Sequence, residues 1–450
     1  MRDVAGAFPV RARPGQVEAA EALTRLLESS SRVVFIAPPG FGKTLVALVS
    51  LKVLGLLPAA WRVRALTLTR RVADDAALLD LRVELLPGRE RVCPHALTLG
   101  GDIHEWCRFY RHECAYFTQR SCPYFFHPLA DVYVLHYQRR PPPRLIDVWD
   151  EAHNLLAPRE VCVGPEEIRE AAGELRAVDP EVAREVLSLL TFLEREGGVP
   201  VSEELVARIY AAYVKLLREG RTATGRVYRV LSSQSVYSEQ GRLCGARLLL
   251  RTTSTKALLV SATLPFASHL GAVVEVPWAR KYRAVVIDAV TTRYSDFDEG
   301  MVREYGKLLW EVRKKHRRVL VFATRRVAER LKRFVDFYEP VEIPADWRGT
   351  LLLLTRGRWS EGVDLRADAV VIAGAPYLPP WALDRLEREL KRAGFSFAEV
   401  ADVTMLSTVL QCVGRATRSP EDSPLILLAD KRFKNLREEL EKYFHIEEST

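Results

Sequence analysis

The chain has 450 residues, 48% of them hydrophobic, and 66 basic against 58 acidic side chains leave a formal charge of +8. That length predicts about three domains with real apolar cores, and the mildly basic balance suits a polyanionic partner without requiring one. There is no signal-like N-terminus and no run of about eighteen apolar residues, so a soluble, cytoplasmic protein with no membrane partner is expected.

The N-terminal segment RARPGQVEAAEALTRLLESS places Val17, Ala20, Leu23 and Leu27 at helical spacing. Its Gln16 offers an amide that could read an adenine edge, although a solvent-facing first-turn glutamine satisfies the same pattern. Next comes RVVFIAPPGFGKTLV (32–46). Val33 to Ile36 read as a buried strand, and Pro38, Pro39, Gly40, Phe41 and Gly42 form a turn into a helix at Lys43 and Thr44. A strand, a glycine loop and a helix N-terminus make an anion site, because backbone N–H groups and the helix dipole converge on it. In a G-x-x-x-x-G-K-[ST] loop, lysine reaches the β/γ-phosphates and the hydroxyl holds Mg²⁺. Here only the first glycine is replaced, by Ala37. ATP and Mg²⁺ are the expected ligands.

A second strand is predicted over 63–69, ending in Thr69, Arg70 and Arg71, at the carboxyl edge where open α/β sheets bind ligands. Composition changes over 91–137, where Cys93, Cys107, Cys114 and Cys122 are interleaved with aromatic residues. Outside a secretory context, such a local group favours metal over disulfides. The spacing leaves two readings open, a four-cysteine zinc site and a 4Fe–4S cluster. The remaining Cys162, Cys244 and Cys412 read as small buried residues.

A strand at 145–149 then ends in Asp150-Glu151-Ala152-His153. A carboxylate at the tip of a strand neighbouring the phosphate loop suits Mg²⁺, and an adjacent glutamate can orient the attacking water. Residues 164–220 read as inserted helices, with a start at Asp179-Pro180. Strand signals return at 246–250 and 257–260, the latter running into Ser261-Ala262-Thr263-Leu264.

A second α/β unit follows. Strands are predicted at 284–287, 318–323 (ending in Thr324-Arg325-Arg326), 349–354, 369–373 and 424–428, with a helix at 301–315 and a charged C-terminal helix. In MLSTVLQCVGRATR (405–418), Gln411, Arg415 and Arg418 recur at helical spacing on one face. This unit lacks a phosphate loop of its own, so its arginines make chemical sense as fingers closing on the nucleotide of the first unit. Only two asparagines (154 and 435) and six glutamines (16, 119, 138, 234, 240 and 411) occur. That scarcity of thermolabile amides beside abundant Arg and Glu suggests a thermophile.

The ordered set Gln16, APPGFGKT, DEAH, SATL, RGRWSEGVDL and QCVGRATR resembles the motif series of superfamily-2 helicases. The cysteines before DEAH, with CPYF, ADVYVLHYQ, TTRYS, SEGVDL, APYLPP and ADKRF, narrow the resemblance to the XPD/DinG iron–sulfur helicases, thermophilic and archaeal in character. The resemblance implies an α/β fold of two RecA-like motor domains with parallel sheets, the first carrying an iron–sulfur insertion and a helical arch. The expected boundaries are motor 1 at 1–90, 126–160 and 226–272, the cluster domain at 91–125, the arch at 161–225 and motor 2 at 273–450. It implies ligation of 4Fe–4S by Cys93, Cys107, Cys114 and Cys122, and finger roles for Arg415 and Arg418. Gln411 would contact water or the γ-phosphate, and Gly362 and Asp364 would belong to the coupling segment. Ser261 and Thr263, with Thr69, Arg70, Thr324 and Arg325, would couple the nucleotide to DNA. The implied activity is ATP-driven 5′→3′ movement of a monomer on single-stranded and forked DNA, in DNA repair. The alternatives are an ATP-switched damage- or fork-binding module with little unwinding, and an RNA translocase on the same motor. The arch is shorter than in longer relatives and the cysteine spacing is compact.

Overall fold

Short β-branched runs buried on both faces alternate with helical segments along most of the chain, the pattern of parallel α/β sheets. The computed structural model describes residues 3–64, 69–99, 102–137, 139, 141–142, 145–156, 158–249, 256–264, 266–278, 281–355, 357, 359, 365–416 and 423–447. The strands are β1 (Arg32–Ile36), β2 (Ala59–Val63), β3 (Val83–Leu86), β4 (Val132–His136) and β5 (Ile146–Asp150), then β6 (Arg159–Val163), β7 (Gly197–Gly198), β8 (Ser235–Glu239) and β9 (Arg242–Arg247). They continue with β10 (Ala257–Ser261), β11 (Ala272–Glu275), β12 (Tyr282–Val286), β13 (Arg318–Ala323), β14 (Phe337–Tyr338), β15 (Gly349–Leu354), β16 (Ala369–Ala373), β17 (Leu425–Ala429) and β18 (Phe444–Glu447).

Two seven-stranded sheets result, ordered β11-β1-β10-β5-β2-β4-β3 and β14-β15-β13-β16-β17-β12-β18. Every pairing within them is parallel. These are the sheets of two RecA-like motor domains, one in each half of the chain. The order corrects one expectation. The strand ending in Asp150 is not next to the phosphate-loop strand, because β10 lies between them, pairing Ile36 with Ser261 on one side and Asp150 with Val260 on the other. All three strands still end at the same edge, so their terminal turns converge.

The segment between β5 and β10 carries its own sheet and core. The antiparallel sheet β6-β9-β8-β7 supports helices Pro165–Leu175, Pro180–Ser188, Glu203–Arg218 and Ala223–Leu231, packed through Ile168, Leu175, Val186, Ile209, Leu216 and Val227. At its root Cys162 faces Cys244 across β6 and β9, and the two form a disulfide. The expectation of separate buried thiols is therefore wrong for this pair. Cross-strand register brings them together across a sequence separation of 82, which linear spacing does not reveal. Cys412 is a buried thiol, as expected.

Three further differences have local causes. The predicted 63–69 strand is shifted: β2 ends at Val63, and Thr69 instead opens a helix to Ala77. The helix predicted to carry Gln411, Arg415 and Arg418 on one face ends at Val413, with Gly414 as its C-cap. The charged C-terminus forms a 3₁₀ turn, one helical turn and then edge strand β18, in place of a single helix. Among the described residues no single helix is long and apolar enough to cross a membrane. The apolar helix Phe397–Val413 buries Met405, Leu406, Val409 and Leu410 in the core of the second motor.

Candidate nucleotide site and basic cleft

The loop after β1 is shaped by glycines in the left-handed region, Gly40 at φ +77° and Gly42 at φ +88°. Gly42 has a second reason to lack a side chain, since a Cβ there would lie 2.5 Å from the Gln16 amide nitrogen. Gln16 braces the loop from below: its oxygen accepts from the Arg13 N–H (2.8 Å) and its nitrogen donates to the Phe41 carbonyl (2.6 Å). Arg13 donates to the Gly40 carbonyl at 2.8 Å. Pro39 and Gly40 are exposed at the tip, while Lys43 and Thr44 begin the helix Lys43–Leu54 and are buried. The Lys43 ammonium donates to the Ala37 and Pro38 carbonyls at 2.9 and 3.1 Å. Burial lowers its pKa, and the charges of Glu151 and Asp150 partly restore it.

Both carboxylates sit where β5 ends. Glu151 adopts φ 51°, ψ 49°, left-handed values that turn the chain sharply after β5. Burial and then the charge of Glu151 push Asp150 up to about 6. Burial would raise Glu151 too, but His153, Lys43, Arg71 and Arg415 together hold it below the usual carboxylate range. The Glu151 Oε2 atom is buried and accepts no hydrogen bond; His153 Nδ1 lies 3.5 Å away. A buried carboxylate pair with one member lifted toward neutrality and an orphaned oxygen on the other is short of positive charge. This donor set fits a divalent cation beside a polyphosphate.

The second motor completes this edge. His153 Nδ1 lies 3.0 Å from Ser261 Oγ, and its Nε2 lies 2.9 Å from the Gln411 amide nitrogen. The His153 ring thus bridges Ser261 and Gln411, and the Ser261 hydroxyl donates to the Thr263 carbonyl at 2.6 Å. Thr263 is also hydrogen-bonded to Ser407. The helix Phe397–Val413 is thus stitched to both turns of the first motor. Arg415 lies in the turn after Gly414, near enough to lower the Glu151 pKa, and its carbonyl accepts from the Leu365 N–H at 3.0 Å. Arg418, Gly362 and Asp364 lie outside the described residues. His153 and Ser407 were missed as site residues: His153 was legible as the fourth letter of DEAH, whereas only the fold brings Ser407 here. Arg71, expected at the ligand-binding edge, acts through its charge on Asp150 and Glu151.

The four clustered cysteines lie between β3 and β4; Cys107, Cys114 and Cys122 are buried and Cys93 is half-buried. Burial raises the Cys93 and Cys107 thiols, and the charges of the other clustered cysteines raise them further. Among the described residues no three His, Cys, Asp or Glu side chains close on one point as a single ion requires. The insertion leans on the helical domain. Asp102, buried, accepts from Tyr213 at 2.5 Å and Arg229 at 2.7 Å, and Tyr110 donates to the Val214 carbonyl at 3.1 Å.

A cleft of about 1730 Å³ separates the helical domain and first motor from the second motor. None of residues 37–44, 150, 151, 411 and 415 lines it, so it is distinct from the phosphate loop. Nine Arg or Lys residues line it against four Asp or Glu, among them Arg64 and Arg159 on one wall and Arg293 and Arg432 on the other. That excess is visible in His136, whose pKa burial and the Arg159 and Arg64 charges depress to about 4. Of the residues expected to couple to DNA, Thr324 and Arg325 line this cleft, while Ser261 and Thr263 lie at the motor interface. Thr69 and Arg70 occupy the first turn after β2, Arg70 exposed.

Residues 301–446 match the helicase C-terminal domain family. The ATP-dependent DNA helicase XPD of Sulfolobus acidocaldarius is 24% identical over 232 residues, 42% of this chain and 41% of that protein. The matched segment thus spans about two fifths of the length of this curated relative. Among solved structures, an XPD helicase superposes with a TM-score of 0.70 at 20% identity, covering 98% of this chain and 100% of the other. Xpd4 of S. tokodaii gives 0.66 at 16% identity, covering 97% and 100%. Residues 301–446 are thus similar to a helicase C-terminal domain, and the whole chain has the fold of the XPD structures it superposes on.

Proposed function

We propose that this protein is an ATP-driven DNA helicase that moves 5′→3′ on single-stranded DNA and opens forked duplexes, in DNA repair. The observation that carries the reading is the stitch of His153 to Gln411 and of Thr263 to Ser407. A phosphate loop whose catalytic wall belongs to another domain hydrolyses only when the two close, and closure can move whatever the domains grip. Lys43 and Gly40 to Thr44 would bind the phosphates, and Glu151 would orient water. Thr44 and Asp150 would hold Mg²⁺, which neutralises charge on the phosphates. Gln411, Arg415 and Arg418 would form the closing wall, and Asp364 would contribute to ATP binding.

The basic cleft supports the nucleic-acid half of the reading, since excess cationic side chains along a groove track a phosphate backbone. Cys93, Cys107, Cys114 and Cys122 would ligate a 4Fe–4S cluster. The support for this assignment is the local group of four cysteines itself, three of them buried, in an insertion between β3 and β4. The proposed boundaries are motor 1 at 1–90, 126–160 and 226–272, cluster domain 91–125, arch 161–225 and motor 2 at 273–450, with one shift. Helix Ala223–Leu231 and strands β8 and β9 share the sheet and core of the helical domain, so that domain runs from Arg159 to Arg247 and the last piece of motor 1 begins after it. The test is strand release from forked duplexes bearing a 5′ or a 3′ single-stranded tail. ATP-dependent release from the 5′-tailed fork alone is expected. Turnover without release on either fork overturns the helicase reading in favour of an ATP-switched binding module.

A further inference from the structure

Asp430 has no exposed surface, and it ties together three turns at the carboxyl edge of the second sheet. Its oxygens accept from the Thr292 N–H (2.8 Å) and the Thr291 and Thr292 hydroxyls (3.2 and 2.9 Å) after β12. They also accept from the Ala375 N–H (3.2 Å) after β16 and the Arg432 N–H (3.0 Å) after β17. These strands are adjacent in the order β16-β17-β12. The turns approach closely enough that a Cβ on Gly374 would lie 2.3 Å from the Thr292 hydroxyl. The carboxylate also receives Nε and Nη2 of Arg432 at 2.9 and 2.7 Å.

Arg432 is therefore clamped along one edge of its guanidinium. Nη2 donates further to the Thr292 hydroxyl (2.6 Å) and the Ala375 carbonyl (3.2 Å). The guanidinium carbon lies 5.3 Å from the centre of the Tyr377 ring, itself tethered to Asp402. Its Nη1 has no partner among the described residues, and the side chain lines the basic cleft with 25% of its surface exposed. A carboxylate has about four lone-pair positions, and backbone and hydroxyl donors alone fill those of Asp430. The arginine is not needed to satisfy the acid; the acid holds the arginine.

We propose that Asp430 is a positioning residue that aims Arg432 Nη1 at a phosphodiester of the strand in the cleft, making a fixed phosphate seat on the second motor. The proposal rests on the nucleic-acid reading of the cleft. It differs from simple charge attraction in a measurable way, because the ion pair is close to neutral and its contribution is geometric. Asp430→Asn adds one positive charge to the cleft wall while loosening the arginine. Attraction by charge alone makes that variant bind single strands more tightly, whereas the positioning role makes it bind more weakly.

The experiment is fluorescence anisotropy of a labelled oligothymidine with the full-length protein at fixed salt, with thermal melting to verify each fold. Arg432→Ala is expected to weaken binding about tenfold, the worth of a charge-assisted bond. Arg432→Lys keeps the charge but not the fork, and is expected to bind within about twofold of the alanine variant. ATP turnover without DNA should be unchanged in both. If Asp430→Asn does not fold, Arg432→Lys alone decides the matter. Wild-type affinity in Arg432→Lys, or tighter binding by folded Asp430→Asn, overturns the proposal while leaving the cleft a DNA site. No binding by the wild type overturns the nucleic-acid reading, and the phosphate seat with it.

Discussion

Replacing Cys162 and Cys244 together by alanine should selectively loosen the helical domain. The disulfide joins the strands that leave and re-enter the first motor, closing a loop with a sequence separation of 82. In the chain-entropy account a loop of that length is worth about 4.5 kcal/mol. The domain has a core of its own, and residual structure in the unfolded segment reduces the figure, so a loss of about 2–4 kcal/mol is expected. The assay is limited proteolysis with thermal denaturation, comparing the oxidised wild type with the double variant. Cleavage within 164–241 should appear at lower temperature in the variant, with the two motors cut later. Reductant should reproduce this in the wild type and add nothing to the variant. Identical protection and melting in the oxidised wild type and the double variant would refute the staple.

Asp147→Ala should cost about 3–5 kcal/mol of stability, read by denaturant unfolding, because it strands a buried charge. Arg62 donates to Asp147 at 2.8 Å with both side chains almost fully buried, so an unchanged midpoint would contradict the pairing. Burial, then the charges of Glu160 and Glu196, push Glu239 up to about 7, against about 4.5 in an unfolded chain, with Arg326 opposing. The folded state thus keeps a proton that the unfolded chain releases. This contribution to stability is complete below about pH 4.5 and lost as pH rises through 7. The melting temperature of wild type relative to Glu239→Gln should therefore fall between pH 5 and 8; a constant difference would exclude it. His153→Ala removes the bond to Gln411 and should reduce the ratio of DNA-stimulated to basal ATP turnover about fivefold, the worth of one net hydrogen bond. An unchanged ratio would leave that contact without a role in coupling.

Strands β13, β15 and β16 were legible to the residue, because each is an apolar run buried on both faces and bounded by polar groups. The four residues of β3, the Gly197–Gly198 pair of β7 and edge strand β18 carry too little pattern; their partners make them strands. The phosphate loop, the paired carboxylates and Gln411 were readable because each is a local motif with a chemical reason. The insertion of β10 between β1 and β5 was not, since strand order is a property of the whole sheet. Likewise Asp430 stood in the motif ADKRF, but its hold on three separate turns and on Arg432 exists only once β16, β17 and β12 are side by side. Gly414 ended a helix that spacing alone would have continued to Arg418.

The most direct measurement for the whole account is ATP hydrolysis with and without single-stranded DNA, in the wild type and in Lys43→Ala. The Lys43 ammonium is held by two loop carbonyls that phosphate oxygens would replace. Turnover stimulated by DNA in the wild type and abolished in the variant is the predicted result. DNA-stimulated turnover that survives in Lys43→Ala would place the nucleotide elsewhere and contradict the account.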